Sequence, residues 1–423
     1  MSYSALSLLI HAFRGHRDWK PAWREPELKP AYDIVIIGGG GHGLATAFHL
    51  AQLGAGTIAV LEKGWLGGGN TGRNTAVIRA NYLREESVRF HAHSMALWNE
   101  LSSTLNFNVM FSPRGQIDLI RTWGKLRDLR RRAAIMERHG VEYDLISTRR
   151  IREMVPDLDL GTEGAIEPGF GGKRLPVLGG AWHPGAGVAR HDAVAWGYAR
   201  AADALGVDII QNCEVTGFRR DGQRVTAIET TRGSISTSKV GVAVAGHAGV
   251  VAELAGFRLP VDTWPLVAFV SEPLKPFLHT CINCPATQIY VNQSDKGELV
   301  IGGGPDRYRS HAQKGDWETV ENVTRSLIDL FPRLGRVKLL RQWAGMIDVA
   351  YDTSPILSRS PLDNLYLSVG WGSGGFKAIP AGGEAFAKLI VTGMPDELIA
   401  PFGLDRFQRG RPLFETASAS ARG

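Results

Sequence analysis

The sequence predicts an α/β fold. A parallel sheet carries helices on its faces and is assembled from separated pieces of chain; a second lobe is antiparallel sheet. Three observations predict this. Residues 31–62 read strand, glycine turn, helix, strand. Residues 242–249 and 366–377 each run from a buried-strand pattern into glycines and then a helix pattern. Residues 260–335 hold short alternating stretches instead, as antiparallel strands with one wet face do.

The first unit organises the rest. Ile34, Val35, Ile36 and Ile37 form the β-branched run of a strand buried on both faces. Gly38, Gly40 and Gly43 follow in GxGxxG spacing, with Gly41 and His42 between them. Residues 44–51 read as helix, Gly54 ends it, and residues 58–61 form the next strand with Glu62 at its tip. Gly38 makes the tight turn and Gly40 lets a pyrophosphate approach the backbone. Gly43 seats the helix close on the strand, so its first N–H groups face the phosphates. Glu62, 19 residues past Gly43, is placed to accept from a ribose hydroxyl. GxGxxG alone also fits a glycine-rich loop of an ordinary α/β domain. Strand, helix and acid together read as a Rossmann-like dinucleotide site.

A chain of 423 residues is long for one core and implies two lobes. Its 44% hydrophobic and 21% charged residues are those of a soluble globular protein. Fifty-one glycines suit many tight βα turns. A net charge of +6 from scattered residues gives no reason to infer nucleic-acid binding. Three cysteines make no disulfide framework and suit a reducing compartment. Cys281 and Cys284 have CxxC spacing without a second pair or nearby histidines, so no metal site is read; they are expected to be incidental loop thiols. The apolar patch at residues 6–10 lacks a basic start and a cleavage site and is too short to span a bilayer, which points to a cytoplasmic protein.

In order, residues 1–30 form an arm whose Trp19 and Trp23 need a surface, on a partner subunit or on the arm's own domain. Residues 67–75 are a second glycine-rich run holding Asn70, Thr71, Arg73, Asn74 and Thr75; Val77, Ile78 and Arg79 follow. Such a loop after the ribose-binding acid carries the chain along a cofactor toward its reactive ring, which suits extended FAD better than NAD. Residues 83–105 read as helix, 110–120 as a strand pair around Arg114 and Gly115, 124–139 as a helix with a solvated basic face, and 148–155 as a short helix. Residues 156–187 are loop-rich. Asp192 is expected to cap a helix over 193–205. The strand 207–210 is expected to continue through 213–216, which contains Val215, and 225–238 to form a hairpin. Gly246 then marks a second cofactor contact. Strands at 266–271, 288–291 and 299–302 precede a helix over 317–331. Near the end, Gly372, Gly374 and Gly375 lie between a strand and a helix over 381–392, where N–H groups can meet an electron-rich ring edge. This divides the chain into a dinucleotide lobe (31–105, 175–260, 336–400), a substrate lobe (106–174, 261–335), the arm, and a tail at 401–423.

The stretches 38–43, 62–64, 67–75, Arg79, 190–192 and 370–377 together resemble the β subunits of heterotetrameric sarcosine oxidases, a branch of the D-amino-acid-oxidase-like amine oxidases. The likeness runs from about Trp19 to Phe407. It implies a discontinuous FAD domain under a sheet-roofed substrate domain. FAD would bind non-covalently along Gly38, Gly40, Gly41, His42, Gly43, Glu62, Lys63, Asn70, Thr71, Arg73, Asn74, Thr75 and Val215. A second flavin, FMN, would be attached covalently through His191, beside Arg190, at an interface with a partner subunit. From the residues alone, His191 reads better as a helix-start histidine.

The resemblance also implies a reaction. The N–CH3 bond of a secondary amino acid is oxidised, with hydride passing to FAD and electrons onward to FMN and oxygen. The one-carbon unit leaves as formaldehyde or passes to tetrahydrofolate in a partner subunit. Arg79 and Lys377 match the cations that hold the substrate carboxylate; by themselves they read as a surface salt bridge and a phosphate contact. Arg84, Gln116 and Asp118 depart from the family pattern, and Arg84 would favour a substrate with a second acid, such as N-methylglutamate. No lysine stands in residues 298–301, which fits oxygen reacting elsewhere or not at all. Two other readings are a dehydrogenase of the same build with another acceptor, and a non-catalytic flavin-binding scaffold subunit.

Overall fold

The computed structural model describes residues 4–15, 17, 21–161 and 175–415. Trp19, the glycine- and proline-rich stretch around Pro168 and the end of the C-terminal tail lie outside the described residues.

The strand Ala31–Ile37 is the centre of an eight-stranded sheet. It pairs in parallel with Gly233–Val242 on one side and Ile58–Leu61 on the other. Asp208–Ile210 extends the sheet beyond Ile58–Leu61, and Leu365–Val369 joins Gly233–Val242 in parallel. Ile34 and Ile36 enter one hydrophobic core while Val35 and Ile37 enter another. The strand is therefore buried on both faces, as its unbroken apolar run requires. On one face the helix Gly41–Gln52 lies against Ile379–Thr392 and His191–Ala204. Glycine permits the closest approach: a Cβ at Gly41 would stand 2.3 Å from Ile379 Cδ1.

The second sheet also has eight strands. In spatial order they are Leu339–Ala350, Val261–Pro273, Glu298–Pro305, Ile289–Gln293, Cys281–Cys284, Gln116–Ile120, Gly179–His183 and Asp144–Ile146. All neighbours are antiparallel except Cys281–Cys284 beside Gln116–Ile120. The face turned away from the first sheet packs on the helix Trp317–Leu330, which Asp316 caps by accepting from Thr319 N–H at 2.7 Å. A small third sheet joins Val77–Ile78, Gly187–Val188 and Ser112–Pro113.

Several expectations need correction. Gly179–His183 and Leu339–Ala350 lie in the second sheet, although both fall inside stretches assigned above to the dinucleotide lobe. Val215–Asp221 does not continue Asp208–Ile210; the two sit at opposite edges of the first sheet. Asn212, with φ +51°, turns the chain between them. Ser112–Pro113 and Gln116–Ile120 are not a pair but belong to different sheets. Cys281 and Cys284 are buried in a strand, not in a loop. The helix begins at His191, earlier than expected, with Arg190 at its N-cap position making no side-chain cap bond; Asp192 lies inside the first turn, accepting from Ala193 N–H at 2.9 Å and pairing with Arg190 at 2.8 Å. In the basic helix Trp123–Arg138, Arg132 turns inward and donates to the Asn81 carbonyl at 3.2 Å.

Candidate active site

Between the two large sheets lies a cavity of 610 Å³, lined from the first glycine turn to Lys377. That volume suits a cofactor or substrate site, for which about 300–1,000 Å³ is usual. Its glycine end has the form that the spacing predicts. Gly38 has φ +112°, and a Cβ there would lie 2.3 Å from the Ala243 carbonyl oxygen. A Cβ on Gly43 would lie 1.9 Å from the Gly38 carbonyl oxygen, so Gly43 serves packing and does not line the cavity. Gly40 caps the helix without a side chain, and the Gly41 N–H donates to the Thr71 hydroxyl at 2.9 Å. Gly38, Gly40, Gly41 and His42 all face the cavity.

Glu62 stands at the strand tip. Each of its carboxylate oxygens accepts one backbone N–H, from Gly39 and Gly64, at 2.9 Å. The carboxylate is fixed and keeps lone pairs for ribose hydroxyls. Lys63 beside it contacts His247 Nε2 at 2.8 Å. Val215 and Gly246 complete this end.

The second glycine run crosses the cavity as a tied-down loop. Asn70 donates to the Met346 carbonyl, and Arg73 to Gly68 and Gln313. The Asn74 side chain accepts from Ala76 N–H at 2.7 Å, holding Ala76 in a left-handed turn at φ +58°. Thr75 and Tyr290 share a hydroxyl–hydroxyl bond of 3.0 Å. Each of these run residues lines the cavity, and each also braces the loop against the second sheet or its own turn.

The C-terminal glycines close the far end. His42 Nε2 meets the Gly375 carbonyl at 2.8 Å and its ring stacks on Trp371 at 4.5 Å. Burial drives its pKa down to about 4, so the ring is neutral. Gly372 and Gly375 line the cavity; Gly374 is buried behind them, where a Cβ would press on the Tyr82 hydroxyl at 2.9 Å. Lys377 is buried and donates to the Ser373 carbonyl at 2.9 Å. Burial first, then the charge of Arg79, hold its pKa well below that of an ordinary amine. Arg79 stands over the Tyr82 ring at 5.3 Å and donates to Asn81 Oδ1. The two predicted cations thus share one end of the cavity.

Three predicted residues lie elsewhere. Arg190 and His191 begin the helix His191–Ala204 and do not line this cavity. Arg84 donates to the Phe414 carbonyl at 3.2 Å, away from the cavity, because it caps the next helix. It is not in position to read a second substrate acid. Sequence reasoning also missed Asp348, a buried carboxyl on the cavity wall. Its signal, one acid inside an apolar strand, was present in residues 339–350.

Comparison with known proteins agrees with this geometry. The family model described as DAO, FAD dependent oxidoreductase, matches residues 33–389. The sarcosine oxidase subunit beta of Rhizobium meliloti (strain 1021) is 50% identical over 411 residues, covering 97% of this chain and 96% of that protein. The subunit of the same name from Arthrobacter sp is 44% identical, covering 94% and 96%. Among solved structures, L-proline dehydrogenase from P. horikoshii superposes with a TM-score of 0.82 at 26% identity, covering 90% of this chain and 99% of that one. The chain therefore belongs to the DAO family of FAD-dependent oxidoreductases and, within it, to the sarcosine oxidase β subunits.

Proposed function

We propose that this FAD-dependent amine oxidoreductase demethylates a secondary N-methyl amino acid of the sarcosine type. The observation that carries the reading is the placement of Arg79 and Lys377 together at the glycine-cluster end of a cavity whose other end is a dinucleotide cradle. A carboxylate entering between them gains two charge-assisted partners. It also favours the charged form of Lys377, which burial and Arg79 disfavour. Anchored there, the substrate's N–CH3 group is oriented rather than merely bound. FAD supplies the hydride acceptor. The oxidised amine hydrolyses to formaldehyde and the primary amino acid, or yields its one-carbon unit to tetrahydrofolate in a partner subunit.

The reading extends to a hetero-oligomer in which His191 holds FMN covalently and FMN supplies the electron outlet to oxygen. The names of the relatives as subunits support the assembly. His191 Nδ1 is buried and has no hydrogen-bond partner among the described residues, which fits an imidazole kept for another bond.

Anaerobic addition of sarcosine to the assembled holoprotein tests the proposal. Bleaching of the flavin spectrum is expected, and oxygen uptake on readmission of air separates oxidase from dehydrogenase. A spectrum unmoved by sarcosine and N-methylglutamate alike would leave only the scaffold reading.

A further inference from the structure

The wall facing the Arg79–Lys377 end holds one anion and three amides. Asp118 is 3% exposed and accepts four hydrogen bonds, two on each oxygen. Oδ1 accepts from Gln116 Nε2 at 2.8 Å and Asn283 Nδ2 at 2.6 Å. Oδ2 accepts from Asn81 Nδ2 at 2.5 Å and the Tyr143 hydroxyl at 2.6 Å. Burial alone would raise its pKa. The bonds from Tyr143 and Asn283, with the charges of Arg79 and Lys125, outweigh burial and hold the carboxyl below its ordinary value.

An ionised carboxylate only accepts, so each amide around it must turn its NH2 toward it. The opposite end of each amide is then a carbonyl oxygen. One of the three shows the consequence: Asn81 presents its oxygen to the guanidinium of Arg79, a group that only donates. The other two, Gln116 and Asn283, line the cavity, and their carbonyl oxygens receive no hydrogen bond among the described residues.

We propose that Asp118 determines specificity: by taking the NH2 ends of Gln116 and Asn283 it makes this wall a pair of carbonyl acceptors for the N–H groups of a substrate ammonium. The cavity then reads both ends of an amino acid zwitterion, the carboxylate by Arg79 and Lys377, the nitrogen by polarised amides. Asp118 acts through them and through Asn81, a positioning residue saturated by its own four donors. The inference rests on the function proposed above and adds the nitrogen-recognition element to it.

The test compares the N-methyl amino acid with methoxyacetate, which has the same carboxylate and an ether oxygen where the substrate has nitrogen. Gln116→Leu and Asn283→Leu each remove one acceptor and leave Asn81 in place beside Arg79. Each is expected to raise KM for the N-methyl amino acid about tenfold and to move the competitive Ki of methoxyacetate less than twofold, in holoprotein with unchanged flavin content. Asp118→Asn, which also disturbs Asn81, is expected to weaken both ligands, the substrate more. Equal changes in both constants for the leucine variants, or no change in either, would overturn the inference. Should the unsubstituted protein neither bind methoxyacetate nor bleach with substrate, the proposed function itself fails, and this inference with it.

Discussion

Asp348 accepts a hydrogen bond from the backbone N–H of Gly370, fastening the last strand of the second sheet to the glycine turn that closes the cavity. A bridge between Val349 and Trp371 runs alongside. Burial pushes this carboxyl up to about 7, and the N–H groups of Gly370, Asp348 itself and Trp371 only partly offset it. The folded protein therefore keeps a proton that the unfolded chain releases at its ordinary value of 3.8. That stability is fully present below the ordinary value and is lost as pH rises through about 7. Asp348→Asn keeps an acceptor for Gly370 and is neutral throughout. It should raise the urea midpoint on the alkaline side of neutrality, by up to about 4 kcal/mol of stability, and leave it unchanged in acid. A variant with the parent's pH slope would show that another group sets it.

The C-terminal tail is less of a tail than its sequence implied. Arg406, 4% exposed, makes a two-pronged ion pair with fully buried Asp352 at 2.7 and 2.8 Å. Leu413 N–H donates to the same carboxylate. Glu415, also buried, then accepts from Leu83 and Arg84 N–H, two steps from Asn81. Removing one partner leaves a buried charge without compensation, which costs about 3–5 kcal/mol. Arg406→Met should lower the denaturation midpoint accordingly. Asp352→Asn with Arg406→Met should recover part of the loss, because neither charge is then stranded. A double variant no better than the single one would mean that the tail's packing, not charge, is what fails.

What could be read in advance follows from how local the physics is. The unit 31–62 carries its strand, turn, helix and acid within a few turns of chain, and each falls where its pattern puts it. Sheet membership is not local. The apolar run at residues 343–350 says that the stretch is buried, but only pairing with Val261–Pro273, some 80 residues earlier, says in which sheet. Side-chain direction fails for the same reason. Arg84 reads as a pocket residue because it departs from the family pattern, yet it stands at a helix start that carries its side chain to Phe414. Asp118 stood out as a departure, but its meaning required Tyr143 and Asn283, which lie on other strands or loops.

Arg79 and Lys377 should separate binding of substrate from binding of cofactor. Lys377 donates to the Ser373 carbonyl at 2.9 Å and Arg79 to Asn81 Oδ1, contacts made away from the Gly38–Gly43 turn. Arg79→Met and Lys377→Met are each expected to raise KM by at least about tenfold, since a charged hydrogen bond is worth about 1.5–3 kcal/mol. Flavin content should match the parent. Substrate affinity should also follow pH differently in Lys377→Met, because a bound carboxylate favours the charged form that burial and Arg79 disfavour in this amine. Wild-type KM in both variants would remove the two cations from the substrate site.

His191 carries the most exposed part of the functional reading. A bond to flavin needs a neutral ring, and a cation as near as Arg190 disfavours protonation. The structure gives burial as the larger cause; Asp192 opposes it, and Arg190, itself paired with Asp192, adds only a smaller push in the same direction as burial. The result is the same, a ring whose pKa lies below its ordinary value and whose Nδ1 has no partner among the described residues. A neutral imidazole retains a nucleophilic lone pair, as bonding to a flavin carbon demands. Purified from the assembled complex and unfolded in denaturant, the wild-type polypeptide should stay yellow after gel filtration, while His191→Ala should run colourless. FAD held without a covalent bond should leave both chains, so it serves as the internal control. A colourless wild-type chain would restore the plainer reading of His191 as a helix-start residue, and the electrons of the amine oxidation would then need an outlet other than a tethered flavin.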